Sequence, residues 1–309
     1  MENNTKNEIA TGSLIADLLQ EKRTDRLWRN IRFACWFFLI LYIVISIAHL
    51  CSSRSSLSTA KKSDRYIALV RLNGIIAAGR KFSAEEAIPI LNDAFADKNA
   101  EGVVIDIDSP GGTPVQSSAI HDAILTFKKK YNKKVIIVGE DLLTSGAYFV
   151  AVAADKIYVN PNTLTGSIGV IMKGFGFVDL IKKMGIERRV YTAGNNKDRL
   201  DPFLPPTLDD EKKIQAVMTE VHNNFAQAVL VGRKGRLHAE PDVLFSGDFW
   251  SGQSAYKLGL VDGLGNLMDV MEKEFKTSEF KEYGGTPTIF RLINGQMGNT
   301  FDHLFNTLI

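Results

Sequence analysis

The sequence predicts an α/β fold, a layered sheet with helices, preceded by one transmembrane helix. Two observations lead to this prediction. Between Gly102 and Val170, short β-branched runs bounded by glycine and proline alternate with helical patterns, which is typical of parallel strands joined by helices. Nearer the N-terminus, residues 33–50 form an apolar run without aspartate, glutamate, lysine or arginine. At about 1.5 Å per residue, such a run nearly crosses a bilayer core of about 30 Å.

Charge and composition divide the chain into five segments. Basic residues are denser before the apolar run than after it, which indicates a cytoplasmic N-terminus and a periplasmic or other extracytoplasmic globular domain in a single-pass protein of the inner (plasma) membrane. A buried core helix fits poorly because the run has no polar face, and a cleavable signal peptide is disfavoured because no small-x-small site follows. The predicted segments are a cytoplasmic tail at 1–32, the transmembrane helix at 33–51, a serine-rich linker at 52–64, the globular domain at 65–275 and a C-terminal tail at 276–309.

The composition excludes several classes of function. The chain has 309 residues, 45% of them hydrophobic, which is enough to bury a full α/β domain. The net charge of +2 and the scattered basic residues provide no basic face, so no nucleic-acid partner is expected. The two cysteines, Cys35 and Cys51, lie in or beside the apolar run, so no disulfide is expected in the globular domain. No Cys/His group has metal-ligand spacing, and neither a metal nor another cofactor is expected.

The globular domain opens with an alternating pattern over Tyr66–Leu72, which predicts a strand. Ser83 then precedes a helical pattern and is expected to cap it. Further patterns predict a helix over Ser117–Tyr131, a strand over Lys156–Asn160 and a long helix that begins at Leu208. In that long helix, apolar residues recur at helical spacing and are expected to face the core: Ile214, Val217, Met218, Val221, Phe225 and Val229.

A glycine-rich turn follows the strand predicted at Val103–Ile107. It reads Ser109-Pro110-Gly111-Gly112 and opens the next helix. Paired glycines allow backbone N–H groups to point outward at a helix start, which makes a cradle for an anion. The simpler interpretation is a tight turn without a chemical role.

A serine turn, Thr144-Ser145-Gly146, follows the strand predicted at Val135–Val138 after a short loop, and a nearly all-apolar helix comes next. Parallel strand ends meet at one edge of a sheet, so Ser145 is expected beside the glycine cradle. A serine nucleophile and preorganised N–H donors, each worth about 2.7–4 kcal/mol to the transition state, indicate acyl transfer. The candidate donors are Gly111 or Gly112 together with Gly146. The simpler interpretation of Ser145 is a helix N-cap.

Three motifs together resemble one family, the signal peptide peptidase A (SppA/SohB-type) membrane serine peptidases. They are IDSPGG at residues 107–112, TSGAY at 144–148 and TGSIGV at 165–170. The resemblance covers roughly Tyr66 to Glu274 and implies a Clp protease/crotonase-like α/β architecture with a serine–lysine dyad. Many members have two glycines after the serine, whereas Gly146 is followed here by Ala147.

The general base is not evident from the residues alone. Five histidines occur, none in a catalytic motif, and His121 is the best candidate for a Ser-His-Asp triad. A lysine can replace histidine where burial lowers a lysine pKa from about 10.4 towards 7–8, but the sequence physics selects no particular lysine.

The resemblance selects Lys197 as the base. It lies in a segment, TAGNNKDRLDPF at residues 192–203, that is similar to the glycine-x-x-lysine segment of the family. Asn196 stands where members often have an aromatic residue. The resemblance also implies that Ser167 supports the dyad by hydrogen-bonding the lysine, although its residue type alone favours a turn hydroxyl.

The resemblance implies a membrane-anchored serine endopeptidase that degrades cleaved signal peptides or other membrane-associated peptides. Its N-terminal helix would hold it in the membrane. The chain has one copy of each motif, like the short members of the family, so a homo-oligomer is expected in which Ser145 and Lys197 come from adjacent subunits. Two alternatives remain at this point: a crotonase-like acyl-CoA enzyme, which also uses paired glycine N–H groups, and a non-catalytic membrane scaffold of the same fold.

Overall fold

The computed structural model describes residues 32–42 and 66–284, and the chain divides into two units between Ser63 and Asp64. In the first unit, residues 32–42 form helix α1, whose residues are all exposed. Within the described residues, no helix has both the length and the hydropathy needed to cross a bilayer. The predicted transmembrane helix at 33–51 lies only partly inside this range. The whole of the predicted linker, the predicted cytoplasmic tail except residue 32, and the predicted C-terminal tail beyond residue 284 lie outside the described residues.

The second unit is built on an eight-stranded sheet in its described part, which confirms the predicted α/β class. The strand order is β6-β5-β3-β2-β1-β8, with β4 paired to β3 and β7 paired to β4. Among the strand pairs of residues 66–284, only β5–β6 is antiparallel. The strands are β1 Tyr66–Asn73, β2 Ala100–Ser109, β3 Lys134–Thr144, β4 Lys156–Val159, β5 Leu164–Gly166, β6 Phe249–Ser251, β7 Gly263–Leu264 and β8 Phe280–Tyr283.

Helices cover both faces of this sheet because side chains alternate along each buried strand. Val103, Ile105 and Ile107 of β2 join one core cluster with apolar residues of α2, α3 and α4, whereas Val104 joins a second cluster with α9. The helices are α2 Ala84–Ala96, α3 Pro114–Tyr131, α4 Gly146–Ala151, α5 Val178–Lys183, α6 Leu208–Gly232, α7 Pro241–Leu244, α8 Gly252–Lys257 and α9 Leu267–Phe275.

Most predicted elements are confirmed, with one correction in β3. The predicted cap of α2 is present, since the Ser83 hydroxyl accepts from the Glu86 N–H. The strand predicted at Val135–Val138 does not end in a loop but continues to Thr144. The physical reason is that Leu142–Thr144 pair with β5, and Leu143 also pairs with Ser109 of β2. This pairing carries the strand past the polar residues Glu140 and Asp141, which favour a loop by composition.

The prediction that the whole apolar face of α6 packs on the core is wrong for its N-terminal half. Phe225 and Val229 are buried, but Ile214 and Met218 are only half-buried and Val217 is 43% exposed. Helical spacing predicts an apolar face but cannot say whether another layer covers it. The preceding residues 171–208 also expose large apolar side chains within one chain, among them Ile171, Met172, Phe175, Met184, Tyr191 and Leu208.

Candidate active site

The turn after β2 is held by the backbone of the segment that follows β1. Gly111 has a φ of +93°, and its carbonyl accepts from the Ile76 N–H at 2.9 Å. The Thr113 N–H in turn donates to the Ile76 carbonyl at 2.8 Å. A Cβ on Gly112 would stand 1.9 Å from the Ile76 oxygen, so the close approach of the two backbones requires glycine there.

The N–H groups of the three candidate glycines differ in their partners. The Gly111 N–H donates to the hydroxyl of Ser109 at 3.1 Å. Among the described residues, no hydrogen bond engages the N–H of Gly112 or Gly146. A Cβ on Gly146 would stand 3.1 Å from the Gly112 nitrogen, so these two glycines lie side by side. The two unengaged donors at this point are therefore Gly112 and Gly146.

Ser145 has a strained backbone at the junction of β3 and α4. Its φ of +51° and ψ of −125° are uncommon for a residue with a side chain, and such conformations cost about 1–3 kcal/mol and cluster at active sites. The Ser145 N–H donates to the Gly166 carbonyl at 2.7 Å. The hydroxyl makes no capping hydrogen bond, so the interpretation of Ser145 as a simple N-cap lacks its defining contact.

The structure brings the two predicted turns into contact. A Cβ on Gly111 would stand 2.8 Å from the Ser145 Cβ and 2.6 Å from the Gly146 nitrogen. On the other side, Ser117 of α3 packs against Gly146, where a Cβ would stand 2.3 Å from the Ser117 Oγ. The glycine turn on one side and the Ser117 side chain on the other thus enclose the serine turn.

Ser167 lies one residue beyond the carbonyl that accepts from Ser145. It has a φ of +51°, and its N–H donates to the Asp248 carbonyl at 2.7 Å. The next carbonyl, that of Ile168, is 3.2 Å from Nε2 of His222 on α6. Ser167 is therefore near Ser145 in the fold, in a turn held from two sides.

Lys197 lies in an exposed turn of the segment between α5 and α6. Its N–H donates to the Gly194 carbonyl at 3.2 Å, while none of the hydrogen bonds and ion pairs found among residues 66–284 engages its ammonium group. Arg199 in the same turn pairs with Asp209 and Asp210 at the start of α6. Within one chain, no described contact joins Lys197 to Ser145.

His121, the alternative base, is nearly buried on α3. Its Nδ1 is 2.9 Å from the Asp122 carboxylate, and its ring packs edge-on against Phe149 at 5.1 Å between centroids. None of the hydrogen bonds in the described part of the chain joins His121 to Ser145. Its contacts are those of a packed helix residue.

The sequence analysis did not select Asp106, a buried acidic residue in β2, the strand that leads into the glycine turn. Asp106 of β2 is 1% exposed and contacts Arg71 of β1. Burial, reinforced by Glu140 of β3, raises the pKa of Asp106 to about 7, although Arg71 opposes the rise. The signal that could have found Asp106 is an acidic residue within an otherwise apolar strand, because a buried carboxyl group needs a partner.

Among the described residues, no group of three or more His, Cys, Asp or Glu side chains could hold a metal ion.

Comparisons with known proteins match this chain to one family and to several named relatives. Residues 127–281 match the profile of Peptidase family S49, a range that includes Ser145, Ser167 and Lys197. A Brucella melitensis biotype 1 protein named Na(+)/H(+) antiporter NhaA is 45% identical over 214 residues, which are 68% of this chain and 29% of that protein. The chain thus spans less than a third of the length of this relative.

Two further relatives carry peptidase names. A protein of Enterococcus faecium, provisionally named signal peptide peptidase SppA, is 28% identical over 228 residues, 70% of this chain and 66% of that protein. A protein of Synechocystis sp., provisionally named a protease, is 33% identical over 217 residues, 70% of this chain and 74% of that protein.

Proposed function

The chain belongs to peptidase family S49, and we propose that it is a membrane-anchored serine endopeptidase with Ser145 as nucleophile and Lys197 as general base. The strained backbone of Ser145, in contact with the glycine turn, is the observation that carries this proposal. Ion transport is not part of it, because this chain matches only 29% of the relative that bears an antiporter name.

The proposed reaction is acyl transfer to serine. Lys197 Nζ accepts the proton of the Ser145 hydroxyl as Oγ attacks the carbonyl carbon of the peptide. The N–H groups of Gly112 and Gly146 donate to the resulting oxyanion, which supports the transition state more than the planar ground state. The protonated lysine then gives its proton to the leaving amine, and water hydrolyses the acyl-enzyme by the same route.

Two facts about one chain support a site shared between subunits. No described contact joins Lys197 to Ser145, and the segment that carries Lys197 exposes apolar side chains, including Phe175 at 82% and Tyr191 at 91%. An exposed apolar surface of this kind is typical of a protein interface. In a homo-oligomer, this surface would pack on a neighbour, remove Lys197 from solvent and bring it to the neighbour's serine, with Ser167 orienting the lysine.

Membrane-associated peptides, such as cleaved signal peptides, are the proposed substrates. The name of the Enterococcus faecium relative and the apolar run at residues 33–50 support this choice. An anchor in the plasma membrane, with the domain on the extracytoplasmic side, would hold the site near such peptides. We also propose that the sheet and its helices follow the Clp protease/crotonase-like arrangement.

Intact-protein mass spectrometry of the full chain in detergent, after incubation with a fluorophosphonate, tests the proposal. One adduct at Ser145, absent from Ser145→Ala and Lys197→Ala, is the expected result. Labelling that persists in Lys197→Ala would redirect the search for the base to His121. A folded, unlabelled oligomer would favour an acyl-CoA enzyme or a scaffold.

A further inference from the structure

The inference concerns an irregularity in β3 immediately before the serine turn. Ile107 of β2 pairs with Gly139, but Ser109, only two residues later, pairs with Leu143. Strand β3 therefore contains two extra residues in a bulge between the pairs. Bulges bend a strand and re-aim the residues that follow, and here the residues that follow lead directly to Ser145.

Asp108 of β2 fastens one side of this bulge. Its Oδ1 accepts from the Leu142 N–H at 3.0 Å, which satisfies a donor that the irregular pairing leaves without a ladder partner. Its own carbonyl accepts from the Gly74 N–H at 2.8 Å. The bulge, β2 and the end of β1 are thus joined through one residue.

Asp106 lies two residues before Asp108, on the same face of β2. One of its carboxyl oxygens has no hydrogen-bond partner among the described residues. Its Oδ2 contacts Arg71, whereas Oδ1 is buried without a hydrogen bond in the structure. Glu140, the first residue of the bulge, comes two residues after Val138, which pairs with Asp106, so alternation along β3 places it on the same face of the sheet as Asp106. It also contributes to the raised pKa of the Asp106 carboxyl group. Two ionised carboxylates cannot bond to each other, but a carboxyl group can donate to a carboxylate.

The charged groups around Asp106 come from four strands. They are Arg71 of β1, Asp108 of β2, Glu140 of β3 and, beyond Arg71 at 3.8 Å, Glu282 of β8. The helix on this face, α9, contributes buried apolar residues, and its Glu274 is engaged by Lys134 and Lys156. Arg71 is the cation that directly offsets the acidic group.

We propose that Asp106 and Glu140 form a proton-sharing carboxyl pair that braces the bulge and so positions the Ser145 turn. With the proton present, Asp106 donates to Glu140 and ties β2 to the bulge. Without it, two carboxylates repel each other behind the serine turn, and the bulge loosens. Asp106 is a positioning residue that acts through β3. The functional part of this inference rests on the proposed role of Ser145 as nucleophile.

The direction of the pH dependence follows from the burial of Asp106. Burial, together with Glu140, raises its pKa from 3.8 to about 7, so the pair keeps its proton at mildly acidic pH and loses it as the pH rises through neutrality. Asp106→Asn places a permanent donor opposite Glu140 and removes this titration. Glu140→Gln, at an exposed position, supplies a donor from the other side and removes the repulsion.

The test compares the full chain with both variants in detergent, between about pH 6 and pH 8.5. The rate of fluorophosphonate labelling at Ser145 is one readout, and deuterium uptake of residues 139–145, corrected for intrinsic exchange, is the other. The wild type loses its protonated carboxyl pair as the pH rises, whereas the variants keep a donor at every pH. The ratio of each variant's labelling rate to that of the wild type should therefore rise about tenfold across this range. Wild-type uptake should rise with pH, and uptake in the variants should stay level.

Asp141→Asn is the matched control, because Asp141 is an exposed carboxylate of the same bulge; this variant should follow the wild-type profile. Parallel pH profiles of the wild type and both brace variants, with level deuterium uptake, would overturn the brace. If no variant is labelled at any pH, the nucleophile proposal fails, and deuterium uptake alone decides whether the brace exists.

Discussion

Gly111 and Ser145 approach so closely that a single added carbon would separate the two turns: a Cβ on Gly111 would stand 2.8 Å from the Ser145 Cβ. The two glycines of the SPGG turn are therefore needed for different reasons. Gly111 admits the serine turn, and its own N–H is engaged by Ser109, whereas the Gly112 N–H has no partner among the described residues.

Gly111→Ala should greatly slow the labelling of Ser145. The new Cβ would meet the serine turn, and the backbone φ of +93° at Gly111 disfavours alanine. We expect a loss of about 100-fold or more in labelling rate, comparable to removal of an oxyanion donor, and about 1–3 kcal/mol lower unfolding free energy. Gly79→Ala is the control, because Gly79 also has a positive φ, +72°, but a Cβ there meets nothing within 4 Å. Wild-type labelling by Gly111→Ala would contradict the described contact between the turns.

Gly146→Ala should destabilise the protein through one identified contact. The added Cβ would stand 2.3 Å from the Ser117 Oγ but 3.3 Å from the Ser117 Cβ, so Ser117→Ala should relieve most of the clash. We expect the two substitutions to be non-additive by about 1 kcal/mol or more in unfolding free energy, as residues in contact usually are. Chemical denaturation of the two single variants and the double variant measures this coupling. Additive losses would mean that Ser117 does not confine Gly146.

The sequence predicts the sheet and the meeting of the two turns because both depend on local patterns. Buried β-branched runs indicate parallel strands, and parallel strands bring their ends together. The bulge at Glu140–Leu142 is not predictable in this way, since its polar residues resemble a loop until Asp108 and the pairing of β3 with β5 are known. The exposure of Ile214 and Met218 is likewise invisible to helical spacing, because spacing defines a face and not what covers it.

Acidification should remove a stabilising contribution from Glu274. Burial alone would raise the pKa of this carboxyl group, but hydrogen bonds from Lys134, Tyr158 and Lys156 lower it from 4.5 to about 2. A depressed pKa stabilises the folded state above the unfolded value, and this stability is lost as the pH falls from about 4.5 to about 2. The loss should be about 2 kcal/mol, given the solvent exposure of both lysines.

Glu274→Gln should lack this component of the acid-induced loss. Unfolding free energies of the wild type and the variant, measured by denaturant titration at several pH values, should converge as the pH falls. Glu272→Gln on the same helix is the control, because no hydrogen bond or ion pair of the described residues engages the Glu272 side chain. A constant difference between wild type and Glu274→Gln from neutral to acidic pH would rule out the assigned linkage.

Substitution of Arg233 should be among the changes that lower the unfolding free energy of the protein the most. It is 1% exposed, donates to the Gly259 carbonyl through Nε and Nη2 and pairs with Asp262, which joins the end of α6 to the turn before β7. Arg233→Met leaves a carbonyl and a carboxylate without their main partner and should cost about 3–5 kcal/mol in unfolding free energy. Arg236→Met should cost less, because Arg236 also contacts Asp262 but has a side chain 40% exposed. Equal costs would show that burial does not set the difference.

Mixing two inactive variants should restore activity if each site draws on two subunits. Ser145→Ala subunits keep the lysine, and Lys197→Ala subunits keep the serine. In a ring of identical head-to-tail contacts, random assembly from equal amounts would create a complete site at about a quarter of the interfaces. Co-expression with two affinity tags, sequential purification and peptide hydrolysis would measure the recovered fraction.

The control for this recovery is the Ser145→Ala/Lys197→Ala double variant mixed with Lys197→Ala, which supplies serine but no lysine and should stay inactive. Recovery in the first mixture alone would support a lysine delivered across an interface, as expected if Lys197 has no route to Ser145 within its own chain. Doubly tagged, folded assemblies without any recovery would instead require the segment between α5 and α6 to rearrange within one subunit, because Lys197 and Ser145 make no described contact there.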